Sequence, residues 1–309
     1  MPAPEGWVGD RGVDPEPCSR PVRSAYHSFI RDVVRATGAL HGEAWRVDAD
    51  EAHLHEVARL NLPPAPPALR VLPRSAPALA AECLRLRSPV QADHATAERR
   101  HPVSAPVLQQ AGARSLVAVP VRGDRLHGIL ALGFPQATLP PRSLDDLARL
   151  CDNWSVVARA AEDEERLLEG EAWRAACVAA SESIDAGLEQ VVHVLADAAR
   201  FLPRKGPIRQ RSRSGADVDL PTPRDGLQPH RQAHLLATPA AGPAGGQRGA
   251  AVPFHSAMET PVLQGGLLTG HVQFARSKMM GCFTAQNLDW AQEFAKAVAS
   301  TQPTEPQRD

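Results

Sequence analysis

Glu51, His53 and His55 stand at alternate positions. On an extended strand the three side chains share one face, and imidazole with carboxylate is a donor set that divalent metals accept. No further ligand stands at a matching spacing, so the favoured reading is a solvated strand edge without a metal. A second concentration of chemistry lies at Asp93, His94, Glu98, Arg99, Arg100 and His101. Arginine grips carboxylate or phosphate through paired N–H donors. Arg100 and Arg114, with His94 and Asp93, are therefore the candidate contacts for an anionic small molecule; the competing reading is an ordinary charged surface loop.

Nothing else supplies a catalytic set. The five cysteines, Cys18, Cys83, Cys151, Cys177 and Cys282, are scattered without a C-x-x-C pair, which suits reduced thiols. Cys83 falls in a helical pattern as a small buried hydrophobe. The basic run Arg204, Lys205, Arg209, Arg211 and Arg213 has no interleaved aromatic residue and reads as a solvated segment rather than a nucleic-acid groove. Glycine-rich phosphate loops, G-x-S-x-G elbows and H-E-x-x-H pairs are absent from the sequence. The expectation is a protein that binds rather than catalyses.

The elements that must carry these residues fill a chain of 309 residues, enough for two ordinary domains. A formal net charge of -1 gives no global attraction to nucleic acid or an anionic membrane. No apolar run is long enough to span a bilayer, and the N-terminus has no leader pattern, so a cytosolic protein is expected. Arginine strongly outnumbers lysine, which occurs only at 205, 278 and 296; this suggests a GC-rich bacterial source.

Residues 1–24, rich in proline and charge, read as a disordered lead-in, and 302–309 as a disordered tail. A first helix follows from Ala25, with Phe29, Val33, Val34 and Leu40 at helical spacing and Gly38 near its end. EAWRV and AHLHEVARL, joined by DAD, predict a hairpin, after which LPPAPPALRVLP breaks regular structure. APALAAECLRLR predicts a helix, SPVQADHATAERRHP a polar loop, and VLQQAG a short helix. SLVAVPV and GILALGF, with Gly123 and Asp124 between them, predict a hairpin buried on both faces.

A long helix then starts at Ser143. Its stripe of Leu144, Leu147, Cys151, Trp154 and Ala158 packs on the chain's own sheet, pairs with the same helix of a second copy, or does both. After Trp173 the plan repeats: a helix through Ile184, Leu188, Val191, Val192, Leu195 and Phe201, an irregular middle over 203–250, the hairpin PVLQGGLLTGHVQFA, and a closing helix NLDWAQEFAKAVA.

Taken in order, WRV, AHLHEVARL, LRSPVQADH, GARSLVAVPVRGDRLHGILALGF and LDDLARLCDNWSVVARA resemble a GAF domain. The specific marks are the Arg-Ser lead into the apolar strand, Pro120 within it, and the Gly-led return strand. In the second half Pro261 and Gly270 match Pro120 and Gly128. The resemblance implies an α+β fold of two GAF-like domains, each a central antiparallel sheet flanked by helices. They would occupy 25–161 and, in divergent form, 181–301, joined by a helical linker at 162–180. It also implies a small-molecule pocket walled by the loop that carries His94 and Arg100, homodimerisation through terminal helices, and regulation of an output partner supplied in trans. The Asn-Lys pair of cyclic-nucleotide-binding members and the Cys-His pair of bilin-binding members are missing, and the cysteine set of the free methionine sulfoxide reductases is not matched. The ligand and any cofactor stay open.

Overall fold

The first apolar alternations become a six-stranded antiparallel sheet. The computed structural model describes residues 20–48, 51–66, 69–204, 206–213, 234–236, 256–276 and 283–302. Helix α1 (Arg20–Thr37) ends at Gly38, whose φ of 70° supplies the left-handed residue that closes a helix. Strands β1 (His41–Val47) and β2 (His53–Leu60) form the first hairpin, and β3 (Val71–Pro73) adds an edge strand. Then come α2 (Leu79–Leu86), β4 (Val90–Asp93), α3 (His94–Arg100), α4 (Ala105–Ala111), β5 (Ser115–Arg122) and β6 (Leu126–Phe134). The order across the sheet is β3-β2-β1-β6-β5-β4.

The nearly unbroken apolar run of β5 and β6 is explained by cover on both faces. Val117, Val119, Val121, Leu130 and Leu132 pack with Tyr26, Phe29, Ile30 and Val33 of α1 on one side. Leu116, Ala118 and Ile129 pack with Leu79, Cys83 and Leu84 of α2 on the other. Two expectations are corrected here. Val71–Pro73 is a strand rather than a break, because its backbone completes the ladder on β2. Residues 90–100 are a strand and a helix rather than a loop: the Asp93 side chain accepts from Thr96 N at 2.8 Å and caps α3.

The next helix, α5 (Pro141–Glu182), runs for 42 residues. It begins two residues before the expected Ser143, because a proline at the first helical position has φ already set and no N–H to lose. Helix α1 likewise begins at Arg20, so residues 20–24 are helical and not part of a disordered lead-in. Leu147 and Cys151 are buried in the first sheet's core, with Leu144 at its margin, and Ala158 is buried as well. Trp154 stacks on Phe29 at 4.1 Å and meets Tyr26 edge-on at 4.7 Å. The stripe thus packs on the chain's own sheet. The outer face of α5 instead exposes Val156, Leu167 and Val178.

After α5 come α6 (Ile184–Val194), β7 (Ala198–Pro203), β8 (Arg209–Ser212), β9 (His234–Leu236), β10 (Ser256–Gln264), β11 (Leu267–Arg276) and α7 (Ala285–Thr301). Phe201 therefore lies on a strand and not in the helix before it. The five strands pair in the order β8-β7-β11-β10-β9. Matched from the hairpins outward, this is the order β2-β1-β6-β5-β4 of the first sheet. Trp173, Phe274 and Phe294 meet edge-to-face in its core, which α5, α6 and α7 cover.

The paired glycines have one cause. Val121 faces Gly128 and Val262 faces Gly270 in the two hairpins. A Cβ at Gly128 would lie 2.4 Å from the Trp45 carbonyl oxygen, and one at Gly270 would lie 2.6 Å from that of Leu202. Both contacts are with backbone of the neighbouring strand, which cannot turn aside. Gly128→Ala is expected to cost about 2 kcal/mol and lower Tm by roughly 5 °C, read by thermal unfolding; an unchanged Tm would show that β1 and β6 separate freely.

The expectations for Cys18, Cys282, the residues before Arg20, most of 203–250 and the tail from 303 lie outside the described residues.

Candidate functional site

On β1, alternation sends Gly42, Ala44 and Arg46 toward α1 and α5 and leaves His41, Glu43 and Trp45 on the opposite face. Glu43 stands opposite Arg59 of β2 in the ladder. The two charges meet there: Arg59 Nη2 lies 2.6 Å from Glu43 Oε1. The rest of the guanidinium is also committed, Nε to Glu56 Oε1 at 2.5 Å and Nη1 to the Pro63 carbonyl at 3.0 Å.

Beside this group is a cavity of about 40 Å³, room for roughly three water-sized centres. Glu43, Arg59 and Trp45 form its polar side with Ser104, and Leu72 and Leu79 are among its apolar walls. The elements meet here because α2 and α4 lie over this face of the sheet, and Ser104 accepts a hydrogen bond from Leu79 N at 3.0 Å that ties the two together.

Burial dominates the electrostatics of the site. Burial pushes the Glu43 carboxyl up to about 7; Arg59 opposes this and Glu56 reinforces it. Burial, then Arg59, pulls His41 down to about 4, so its ring is neutral at pH 7. Neither ring nitrogen of His41 has a hydrogen-bond partner, whereas the Trp45 indole N–H donates to Glu43 and favours its charged form. Buried polar atoms without partners are uncommon in folded proteins, and those of His41 call for an explanation.

The residues expected from sequence to bind a ligand are elsewhere. Asp93 is an exposed helix cap; His94 is partly exposed, 3.5 Å from Glu98; Arg100 extends outward to Glu82 at 3.2 Å; Arg114 is exposed. None of the four lines the cavity. His55 is buried and lies 2.8 Å from Asp48, with His53 3.7 Å from the same carboxylate, while Glu51 turns away to Arg87. The solvated edge is corrected to a buried hairpin pair, and no group of three metal-ligating side chains occurs among the described residues. Cys83 and Cys151 are fully buried; burial raises the first thiol strongly and the second to about 12. Sequence reading missed Glu43 and Arg59; the signal was faint, a carboxylate between Gly42 and Ala44 on one strand and an arginine between Ala58 and Leu60 on the next.

A second buried polar cluster links the β5–β6 turn to α5. His127 is 3.1 Å from both Glu162 and Asp124, and Arg125 also reaches Glu162. Burial alone would raise the Glu162 carboxyl, but the His127 hydrogen bond with Arg46 and Arg125 outweighs it, and the net shift is downward. Arg46 completes the link to α5 at Glu165, 2.6 Å away. The cavity-bearing sheet is therefore fastened to the long helix by charge as well as by packing.

With this geometry in place, the sequence profile described as the GAF domain matches residues 19–152. These residues are a GAF domain. The solved structures similar to this chain include the GAF domain of an Acinetobacter phosphoenolpyruvate-protein phosphotransferase, with 17% identity over 47% of this chain and 86% of that one, TM-score 0.37. Another is the second GAF domain of DevS from Mycobacterium smegmatis, with 14% identity over 47% and 99%, TM-score 0.35. A third is a free methionine-R-sulfoxide reductase from Neisseria meningitidis, solved with its substrate, with 15% identity over 46% and 81%, TM-score 0.39. No curated protein matches the sequence. No described helix is long and apolar enough to cross a membrane.

In this GAF domain the cavity lies between the sheet and the helices over it, where the resemblance placed a pocket, but its wall is made by α2, α4 and the segment before α4 rather than by His94 and Arg100.

Proposed function

We propose that the chain is a non-catalytic sensor, in which the GAF domain takes a small molecule into the cavity beside Glu43 and passes its state along α5 to the second sheet. The observation that carries this reading is the buried group of Glu43, Trp45 and Arg59 on the wall of a cavity, with His41, whose ring nitrogens make no hydrogen bond, on the same strand face. The buried, protonated thiols of Cys83 and Cys151 support a binding role over thiol catalysis.

The shared strand order supports reading 181–301 as a divergent GAF-like copy, with the output passed to a partner in trans. A homodimer has the outer face of α5 available rather than the inner stripe. A bacterial, cytosolic setting fits this reading.

The test is native mass spectrometry of the purified protein before and after mild denaturation. The expected result is a bound small-molecule mass that is released on unfolding and absent from an Ala131→Leu variant, which places a larger side chain on the cavity wall. Protein that carries no such mass, and the same subunit count in wild type and variant, would favour a ligand-free scaffold instead.

A further inference from the structure

The cavity's charge states what it lacks. One guanidinium serves two carboxylates, Glu43 through Nη2 and Glu56 through Nε, and its third nitrogen donates to the Pro63 carbonyl. An anion entering the cavity would meet the Glu43 carboxylate and an arginine already shared between two carboxylates. We propose that the pocket binds a small organic cation of the alkylammonium class, seated on the Glu43 carboxylate against Trp45; the assignment rests on the sensor reading above and names its ligand.

Three features of the site fit that class. A buried carboxylate needs a full positive partner, and Arg59 is shared, so an ammonium restores the balance that a neutral ligand leaves unmet. The indole of Trp45 on the wall suits a cation whose carbon chain is apolar. Leu72 and Leu79 receive that chain, and Ser104 adds a hydroxyl to the polar side. The volume limits the ligand to a handful of heavy atoms unless α4 yields.

Binding is then linked to protons. The groups that face Glu43 are Arg59 and Glu56 of β2 and the indole of Trp45, with His41, which faces the same arginine, on its own strand. Because the carboxyl titrates near neutrality, a cation must expel its proton to bind at lower pH.

The experiment uses the full chain and three probes of one size: n-propylammonium, 1-propanol and propionate. Binding is followed by ligand-observed NMR and by calorimetry from pH 5.5 to 8.5. The expected result is binding of the ammonium alone, in the millimolar range. Its affinity should rise about tenfold per pH unit below about 7 and level off above it. Glu43→Gln should remove that binding at least tenfold while circular dichroism stays unchanged. Ser104→Ala, which keeps the carboxylate, should weaken it only slightly and keep the pH slope.

Preferential binding of propanol or propionate, or ammonium binding with a flat pH profile, would overturn the cation assignment and leave the pocket as a site for another class. No binding by any probe, in protein whose native mass includes a released ligand, would also overturn only the assignment. No binding by any probe, together with the absence of any released ligand, would overturn the sensor reading as well.

Discussion

Glu43→Gln is expected to stabilise the protein at pH 8 by about 3 kcal/mol relative to its effect at pH 5. The sign follows from where the proton sits. Burial holds the folded carboxyl near 7, well above its ordinary value of 4.5. Below pH 4.5 the group is protonated in both states and costs nothing; as pH rises through 7 the folded state must ionise a buried group that the unfolded chain ionised earlier. Stability is thus present at low pH and lost across pH 4.5–7. Glutamine keeps the shape and never ionises, so the loss should vanish. Tm measured for both proteins from pH 5 to 8 decides it: the wild-type curve should fall relative to the variant's by roughly 8 °C. Parallel curves would mean that Arg59 neutralises Glu43 fully and that the carboxyl titrates in its ordinary range.

The same residue shows why the fold was more legible than the site. Alternation and turn chemistry are local, so the two hairpins, the closing helix and the GAF domain could be read from short stretches such as SLVAVPV and GILALGF. Glycine 128 was recognisable as a mark, and its cause, a carbonyl on a strand distant in sequence, was not. The site depends on partners that sequence does not place side by side. Glu43 and Arg59 become a pair only through the register of β1 on β2, and the bulge between Ala44 and Trp45 shifts that register. Arg100 and Arg114 drew attention because exposed charges are conspicuous in a sequence, whereas a single glutamate between apolar neighbours is not. The stripe on α5 was visible, but a stripe does not say which surface it meets; Phe29 and Tyr26 of α1 supplied that surface.

Leu167→Pro is expected to separate the two sheets energetically while leaving each folded. Helix α5 is held to the first sheet as far as Glu165, through Arg46. It is held to the second from Glu169 onward, through Arg276 and Asn287, with Gly170 closely facing Trp290. Arg166, Leu167 and Leu168 lie between these anchors and are exposed, Leu167 to 69%. Over that turn the coupling is carried by the helix backbone, since the side chains have left both cores. A proline at 167 deletes the hydrogen bond to the Asp163 carbonyl and sets its ring against that group, at about 3 kcal/mol. Amide hydrogens over 164–170 should therefore exchange about a hundredfold faster, while those of β5, β6, β10 and β11 keep their protection. Leu167→Ala, which removes the same side chain without breaking the helix, should change neither. The functional consequence follows from linkage: a ligand at Glu43 shifts the second sheet only if some element has two arrangements that both ends favour differently. With the helix broken, ligand binding in the first cavity should persist and its effect on exchange in β10 and β11 should disappear. If those strands still respond, the coupling runs outside α5, and the unbroken 42-residue helix is a spacer rather than a lever.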